Sequence, residues 1–424
     1  MAKVITTELQ HSGASAANIT LDSSKNVTCE NNLQVDGNVT VTGTLPADKL
    51  TGALPAISGA SLTGISTPLP GRRLNRNGAM QINQRGGQSP AHDASGRLAY
   101  EGWGADGYQV QWTAMDELDG TINTVEDGPE GFTHSTKWTT GTAESAIATN
   151  EWACMSTKMD SFDVRDHLKW GTANAEALTV SFWVKSSLTG TFYMSIYSPR
   201  TSGGRSLSKT YSISSANTWE KKTVTFDAAT GGNDQPNESS EQTIMWAFAS
   251  GSQWSSGGST SSWQDYAHAT WLGQNNRDDL ITTAGATFYL TGVQAEVGTS
   301  ATDFEYKKAD EELSWCQRYY YTLKCSGENP GRGNGTSAIT FTCNLPHSFR
   351  GTPSLTMTAG SGVRQYGIDS KSDSTTAPTV STFRTNNSWV KLAQSGHSGV
   401  NDDCALVAML NGSATEGIEF FAEL

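Results

Sequence analysis

The chain has 424 residues, with 42 acidic against 29 basic side chains, a net charge of −13, only 17% charged residues, and 43 glycines. The charge is uneven: residues 1–74 are neutral, 75–308 carry −10 and 309–424 carry −3. No segment holds the cationic patch that phosphate binding needs, and no apolar run reaches membrane-spanning length, so both nucleic-acid binding and membrane insertion are disfavoured.

Serine and threonine fill the space left by the missing charges. Thr favours strands, Ser and Gly favour turns, and few salt-bridged helices can form, so the expected class is all-β. The 13 tryptophans need either several cores or exposed binding faces. The N-terminus MAKVITTELQ has no apolar signal core, which predicts a soluble protein made in the cytoplasm. The six cysteines form no CxxC pair and read as buried thiols, with a Cys325–Cys343 disulfide as the lesser alternative.

Residues 1–74 do not read as an ordinary globular domain. Ile19, Leu21, Val27, Leu33, Val35, Val39 and Val41 alternate with polar residues in short runs broken by turn signals. Strands this thin bury a core only by sharing one with sister chains or a docking platform. The following LPADKLTGALPAISGASLTGISTPLP is rich in Gly, Pro, Ala and Ser. Its apolar residues Leu50, Leu54, Ile57, Leu62 and Ile65 recur regularly, which predicts an extended segment ordered by intertwining.

Residues 75–308 read as the main β domain. Val180, Phe182 and Val184 alternate with Ser181, Trp183 and Lys185, then a turn at Leu188–Gly190 and a second alternating run, Thr191–Tyr197, predict a hairpin. Further strands are predicted over Thr218–Phe226, Thr243–Ala249 and Thr287–Gln294, and a short helix over Met159–Trp170. Trp183, Trp219 and Trp246 fall within these runs and read as core or inter-chain packing. Many short strands joined by Gly/Ser loops suggest a sandwich or jelly roll.

Residues 309–424 read as a smaller β domain. A helical segment over Ala309–Gln317 opens it. Strands follow at Tyr319–Leu323, Ala338–Cys343, Ser354–Thr358, Trp389–Ala393, Cys404–Met409 and Ile418–Glu423. NPGRGNG from Asn329, GSG from Gly360 and NGS from Asn411 read as turns between them.

Three motifs in fixed order carry a resemblance: RNGAMQINQRGG (Arg76–Gly87), LKWGTANAEALTVSFWVKSSLTGTF (Leu168–Phe192), and GVQAEVG (Gly292–Gly298) followed by CQRYYY (Cys316–Tyr321). Together they resemble a family of bacteriophage tail-fibre and related virion proteins over about Asn75–Tyr321. The N-terminal composition is similar to fibre virion-attachment regions. The resemblance implies an all-β chain: an extended intertwined N-terminal segment, a carbohydrate-binding-like jelly-roll β-sandwich, and a small C-terminal β-sandwich or knob. It carries no catalytic motif.

A sugar presents apolar C–H faces and hydroxyls, which aromatic rings and short polar side chains suit. The densest such cluster lies in Ser250–Asp279. There Trp254, Trp263, Asp265, Tyr266, Trp271 and Asn275 form the expected glycan site, with Gln274 and Asn276 beside them; the competing reading packs Trp271 and Tyr266 back onto the sandwich. Trp315, Tyr319, Tyr320 and Tyr321 are expected to pack between domains or chains. Hydrolysis needs two carboxylates at a fixed separation, and the candidates are Asp160, Asp163 and Asp166, Asp278 and Asp279, or Asp402 and Asp403. No GxSxG or HExxH occurs, and the isolated histidines read as surface residues. Domains of this kind suggest a structural calcium, for which Glu296, Asp303 and Asp119 are the candidate carboxylates; otherwise no metal or cofactor is expected.

The resulting expectation is a homotrimeric, non-enzymatic virion fibre subunit. It docks to a phage tail or capsid protein through its N-terminal segment and binds host polysaccharide or lipopolysaccharide. Closed symmetry hides strand edges, and three weak sites gain avidity. A capsid-decorating fibre and a polysaccharide depolymerase are the alternatives.

Overall fold

In this computed structural model the described residues are 72–86, 99–113, 115, 117–200, 203–231, 241–273, 279–324 and 338–357. Strands are also described at 8–9, 19–21, 27–29, 328–334, 362–366, 371–374, 379–382, 389–395, 405–411 and 417–421. The chain divides into two compact units, Met1–Ile65 and Ser66–Leu424. The first unit holds a three-stranded antiparallel sheet of β1 (Glu8–Leu9), β2 (Ile19–Leu21) and β3 (Val27–Cys29). Ile19 pairs with Cys29 and Leu21 with Val27, as the alternation in NITLDSSKNVTC suggests. The strands expected over 33–41 and the intertwined segment over 46–70 lie outside the described residues.

The second unit begins with a sandwich of two antiparallel sheets. Its strands are β4 (Ala99–Trp103), β5 (Tyr108–Thr113), β6 (Gly120–Val125), β7 (Ser135–Thr140), β8 (Trp152–Asp160) and β9 (Leu178–Ser186). They continue as β10 (Gly190–Arg200), β11 (Gly203–Ile213), β12 (Glu220–Phe226), β13 (Glu241–Ser250), β14 (Gln264–Asp265) and β15 (Thr287–Val297). The seven-stranded sheet runs β14-β11-β10-β13-β8-β5-β4, and the five-stranded sheet runs β12-β9-β15-β7-β6. The core lies between them. Phe182 on β9 meets Trp246 on β13 at 5.6 Å, and Phe288 on β15 meets Phe248 on β13 at 5.1 Å. Burying each such ring contributes about 2–3 kcal/mol.

Two expectations fail here. β9 and β10 do not form a hairpin: β9 pairs with β12 and β15, while β10 pairs with β11 and β13 in the opposite sheet. Alternation specifies which face of a strand is buried, not which strand lies beside it. Of the three tryptophans read as core or inter-chain packing, Trp246 is fully buried in the core. Trp183 points outward from β9 and Trp219 precedes β12, and both are half-buried. The expected helix over Met159–Trp170 is shorter. β8 runs to Asp160, whose carboxylate caps a helical turn Ser161–Asp163 that passes into a wider turn, Val164–Leu168.

The helix Ala309–Gln317 forms as its sequence suggests, with Asp310, Glu311 and Glu312 in the first turn, where the helix dipole favours acids. Two more antiparallel sheets follow. One pairs β16 (Tyr320–Lys324) and β19 (Ser354–Met357) on either side of β25 (Gly417–Phe421). The other comprises β17 (Glu328–Asn334), β18 (Ala338–Asn344), β20 (Gly362–Tyr366), β21 (Lys371–Ser374), β22 (Thr379–Thr382), β23 (Trp389–Ser395) and β24 (Ala405–Asn411). Asn329–Asn334 of the NPGRGNG motif is therefore strand rather than turn. Pro330 is accommodated because β17 pairs with β18 only from Gly331 onward.

Candidate functional site

After β13 the chain folds back over the outer face of the seven-stranded sheet. That face carries apolar side chains that would otherwise meet water: Trp152, Cys154, Tyr193, Met245 and Ala247. Trp271 packs edge-on against Trp152 at 4.5 Å, and Trp254 against both at 6.1 and 5.3 Å. The Trp254 indole donates to the Asn150 carbonyl at 2.8 Å. Gly273 allows this close approach: its φ is +80°, and a Cβ there would lie 2.8 Å from the Tyr193 ring.

The predicted glycan cluster is thus divided. Trp254 and Trp271 anchor a covering segment. Trp263 plugs the sandwich edge instead, 4.9 Å from Trp170, with its indole donating to the Asp227 carbonyl. Asn275, like Gln274 and Asn276, lies outside the described residues. The part still facing water is a continuous strip of rings. Trp254 stacks on His268 at 4.6 Å, His268 lies 6.1 Å from Tyr266, and Tyr266 lies 4.8 Å from Tyr197. Burial pushes both tyrosine phenols upward, so they remain O–H donors at neutral pH. Asp265 sits at the rim, 3.4 Å from Arg205. Sequence reasoning missed Tyr197 and His268. Only the outward phase of Tyr197 beside buried Ile196 hinted at it.

The outer face of the five-stranded sheet carries a different row. The register places Lys137, Tyr289 and Lys185 side by side across β7, β15 and β9. Glu220 pairs with Val184, so Trp219 continues the row past Lys185. The Lys137 and Lys185 ammonium groups lie 5.1 and 4.2 Å from the Tyr289 ring centre, and Lys185 lies 5.0 Å from Trp219. Asp127 accepts from Lys185 Nζ and from the Trp219 indole at 3.2 Å. Burial alone would raise the Asp127 carboxyl, but these two donors outweigh it and hold it below its usual range. In the next row Trp183 sits between Thr291 and Lys221. It packs at Gly292, where φ is +60° and a Cβ would lie 2.8 Å from Phe132 and 2.9 Å from Trp183.

Trp315, Tyr319, Tyr320 and Tyr321 occupy the joint between the sandwich and the C-terminal sheets. Arg76 lies over Tyr319 at 3.9 Å, and Arg85 is held between Trp103 at 3.9 Å and Tyr320 at 3.8 Å. Tyr319 and Tyr320 are buried, and Tyr321 faces Phe420 at 6.4 Å. Trp315 is half-buried against Arg73 and Lys307. Arg73 makes a buried ion pair with Glu312, whose carboxylate also accepts the Asn77 N–H. Leu74 donates to the Ala295 carbonyl at 2.8 Å, and the Asn75 side chain bridges Val293 and Ala295. At Gly78 a Cβ would fall 2.1 Å from the Val293 carbonyl. RNGAMQINQRGG, GVQAEVG and CQRYYY therefore meet at this joint.

No protein-family profile matches the sequence, and no curated protein matches it. Among solved structures, the enzymatically active domain of bacteriophage CBA120 tailspike protein 4 is similar over 53% of this chain, at 12% identity and a TM-score of 0.28. The match takes in 21% of that tailspike chain. A tandem CBM22 domain of Paenibacillus barcinonensis Xyn10C is similar over 83% of this chain and 95% of its own, at 9% identity and a TM-score of 0.25. The family 11 carbohydrate-binding module of Clostridium thermocellum is similar over 51% of this chain and 98% of its own, at 11% identity and a TM-score of 0.23. Likeness at this level says nothing about a ligand.

Among the described residues, the candidate carboxylates are engaged with other partners or stand apart from a metal cage. Asp160 accepts from Arg350 Nε at 2.6 Å and Tyr319 Oη at 3.0 Å. Asp163 lines a pocket of about 200 Å³ with Arg73, Leu74, His167, Lys307 and Trp315. Burial, reinforced by the Asp160 charge, raises its carboxyl. Asp166 is exposed beside Arg165. The side chains of Asp278, Asp279, Asp402 and Asp403 lie outside the described residues. The calcium expectation meets the same obstacle. Glu296 accepts from Gln294 and Thr302, and Asp119 from Thr142. Asp303 offers its carbonyl to Arg72 and Gln294. Among the described residues no three metal-ligating side chains converge. Cys154, Cys316 and Cys343 are buried and in no disulfide, so Cys343 is not bridged to Cys325, and burial pushes the Cys343 thiol up to about 12.

Proposed function

We propose that this chain is a virion fibre subunit that binds a host surface glycan without cleaving it. The observation carrying this reading is the water-facing strip Trp254–His268–Tyr266–Tyr197, held rigid by the indoles packed beneath it. Sugar C–H faces stack on such rings, while the phenol hydroxyls and Asp265 supply hydrogen bonds. The fibre role rests on the motif resemblance and on the thin N-terminal strands, which favour a trimer with shared edges and a virion-docking end. Three ring strips in one trimer give weak sites avidity.

The test is retention of the intact protein on host surface polysaccharide, together with its Tyr266→Ala variant. Tyr266 is partly exposed, so the variant keeps the fold. A loss of about tenfold in affinity is expected for removing one stacking ring. Unchanged retention, or none by the unaltered chain, overturns the ring strip as the site. Light scattering at micromolar concentration must give three times the chain mass, and a stable monomer overturns the trimer. Release of new reducing ends from the glycan overturns the non-catalytic reading.

A further inference from the structure

We propose that the outer face of the five-stranded sheet is a second site, and that its ligand is an anionic polysaccharide. The site is the row Lys137–Tyr289–Lys185–Trp219, with Trp183 and Lys221 in the row beside it. Four adjacent strands at ordinary spacing make that row about 14 Å long, the scale of a short oligosaccharide.

Charge selects the ligand. Residues 75–308 carry −10 overall, yet this row gathers Lys137, Lys185 and Lys221, with Asp127 bonded to Lys185. At the strand end Lys222 and Glu220 neutralise each other at 2.5 Å. A lysine island on an acidic surface attracts anions locally while the rest of the chain repels them. The aromatic rings do more than fill space. Two ammonium groups rest over Tyr289, and one also lies near Trp219, so their positions are fixed and part of their hydration is removed. A sugar carboxylate gains more from such a charge than from a freely moving surface lysine. Asp127 ties the Trp219 indole to Lys185, which keeps ring and charge in one line before any ligand arrives. Lys185 is already paired with Asp127, so Lys137 and Lys221 are the charges that meet the acids of an anionic polysaccharide, and a neutral glycan would offer them no partner.

This face is opposite the ring strip, so either site can fail alone. Affinity electrophoresis of the full chain through gels containing polygalacturonate, dextran or polyglutamate tests the proposal. Retardation by polygalacturonate is expected, relieved at high salt, with little by dextran; polyglutamate, which has the charge but no sugar rings, should retard the chain less than polygalacturonate does. Lys137→Gln should weaken the polygalacturonate interaction about tenfold, the loss of one charge-assisted contact. Trp219→Leu should weaken it as well, and serves if Lys137→Gln lowers the yield of folded protein. Tyr266→Ala should change it little, which separates this site from the ring strip. Equal retardation by polyglutamate, or by dextran, overturns the proposal. So does a Lys137→Gln variant indistinguishable from the unaltered chain. If Lys137→Gln instead dissociates an oligomer and no polymer retards the chain, the face is a contact between copies and the proposal falls.

Discussion

The two outer faces of the sandwich begin from the same material and end differently. Both present tryptophan, tyrosine and small polar residues in outward phase on long strands. On the seven-stranded sheet the outward residues are mainly apolar, so the 251–273 segment covers them and its own indoles become packing. On the five-stranded sheet Phe132 covers Trp183 at Gly292, while along the row of Tyr289 the outward rings alternate with lysines and stay half-exposed. Outward aromatics therefore keep facing water where their neighbours across the sheet are polar, and where those neighbours are apolar a covering segment presents its own rings instead.

The sharpest way to break this comparison is to remove one indole from each face. Trp152→Ala deletes the ring on which Trp254 and Trp271 rest, and should cost about 3–5 kcal/mol in urea unfolding. Trp219→Ala on the open face should cost less than about 1 kcal/mol. Equal losses would mean that both faces are structural. Gly292→Ala comes next. The left-handed backbone and the close Phe132 and Trp183 rings predict a loss of about 1–3 kcal/mol, seen as a lower urea midpoint. The smallest effect is in acid. Asp127 has a lowered carboxyl pKa, so the stability it provides is present above the unfolded pKa of about 4 and is lost as pH falls through the lower folded value. The Trp219 indole N–H resonance should hold steady from neutral pH down to that range and shift only below it, and Asp127→Asn should abolish the shift. A transition near pH 6 would contradict the assignment.

Much of the architecture was legible in the sequence because period-two alternation is a local signal. β9, β13 and β15 fall where Leu178–Ser186, TIMWAFA and TFYLTGVQ alternate, and the helix Ala309–Gln317 matches its expected limits. Sheet membership was not legible. The same alternation in β9 and β10 fits a hairpin or a crossover, and only long-range pairing decides. The two proposed binding surfaces suffered from the same gap. Trp183 and Trp219 read as core or inter-chain packing because they lie in or beside strands, and the phase of each strand turns them away from the core. Lys137, Tyr289 and Lys185 become neighbours only once β7, β15 and β9 are aligned, though they are separated by up to 152 positions in the chain. The joint was easier, because its tyrosines and the helix preceding them are contiguous in CQRYYY.

The hydrogen bond from Leu74 to Ala295 has a consequence of its own. The chain passes into the sandwich and out of it at one place, with the two crossing segments bonded to each other and bolted by Arg73 and Glu312. Residues 79 to 292 form a loop hanging from that point, so tension along the backbone would be borne by the crossing and would leave the sheets slack. The same closeness makes the sandwich an exchangeable cassette. A chain cut at the crossing could receive a different sandwich, with different surface chemistry, while the segments before and after it keep their course.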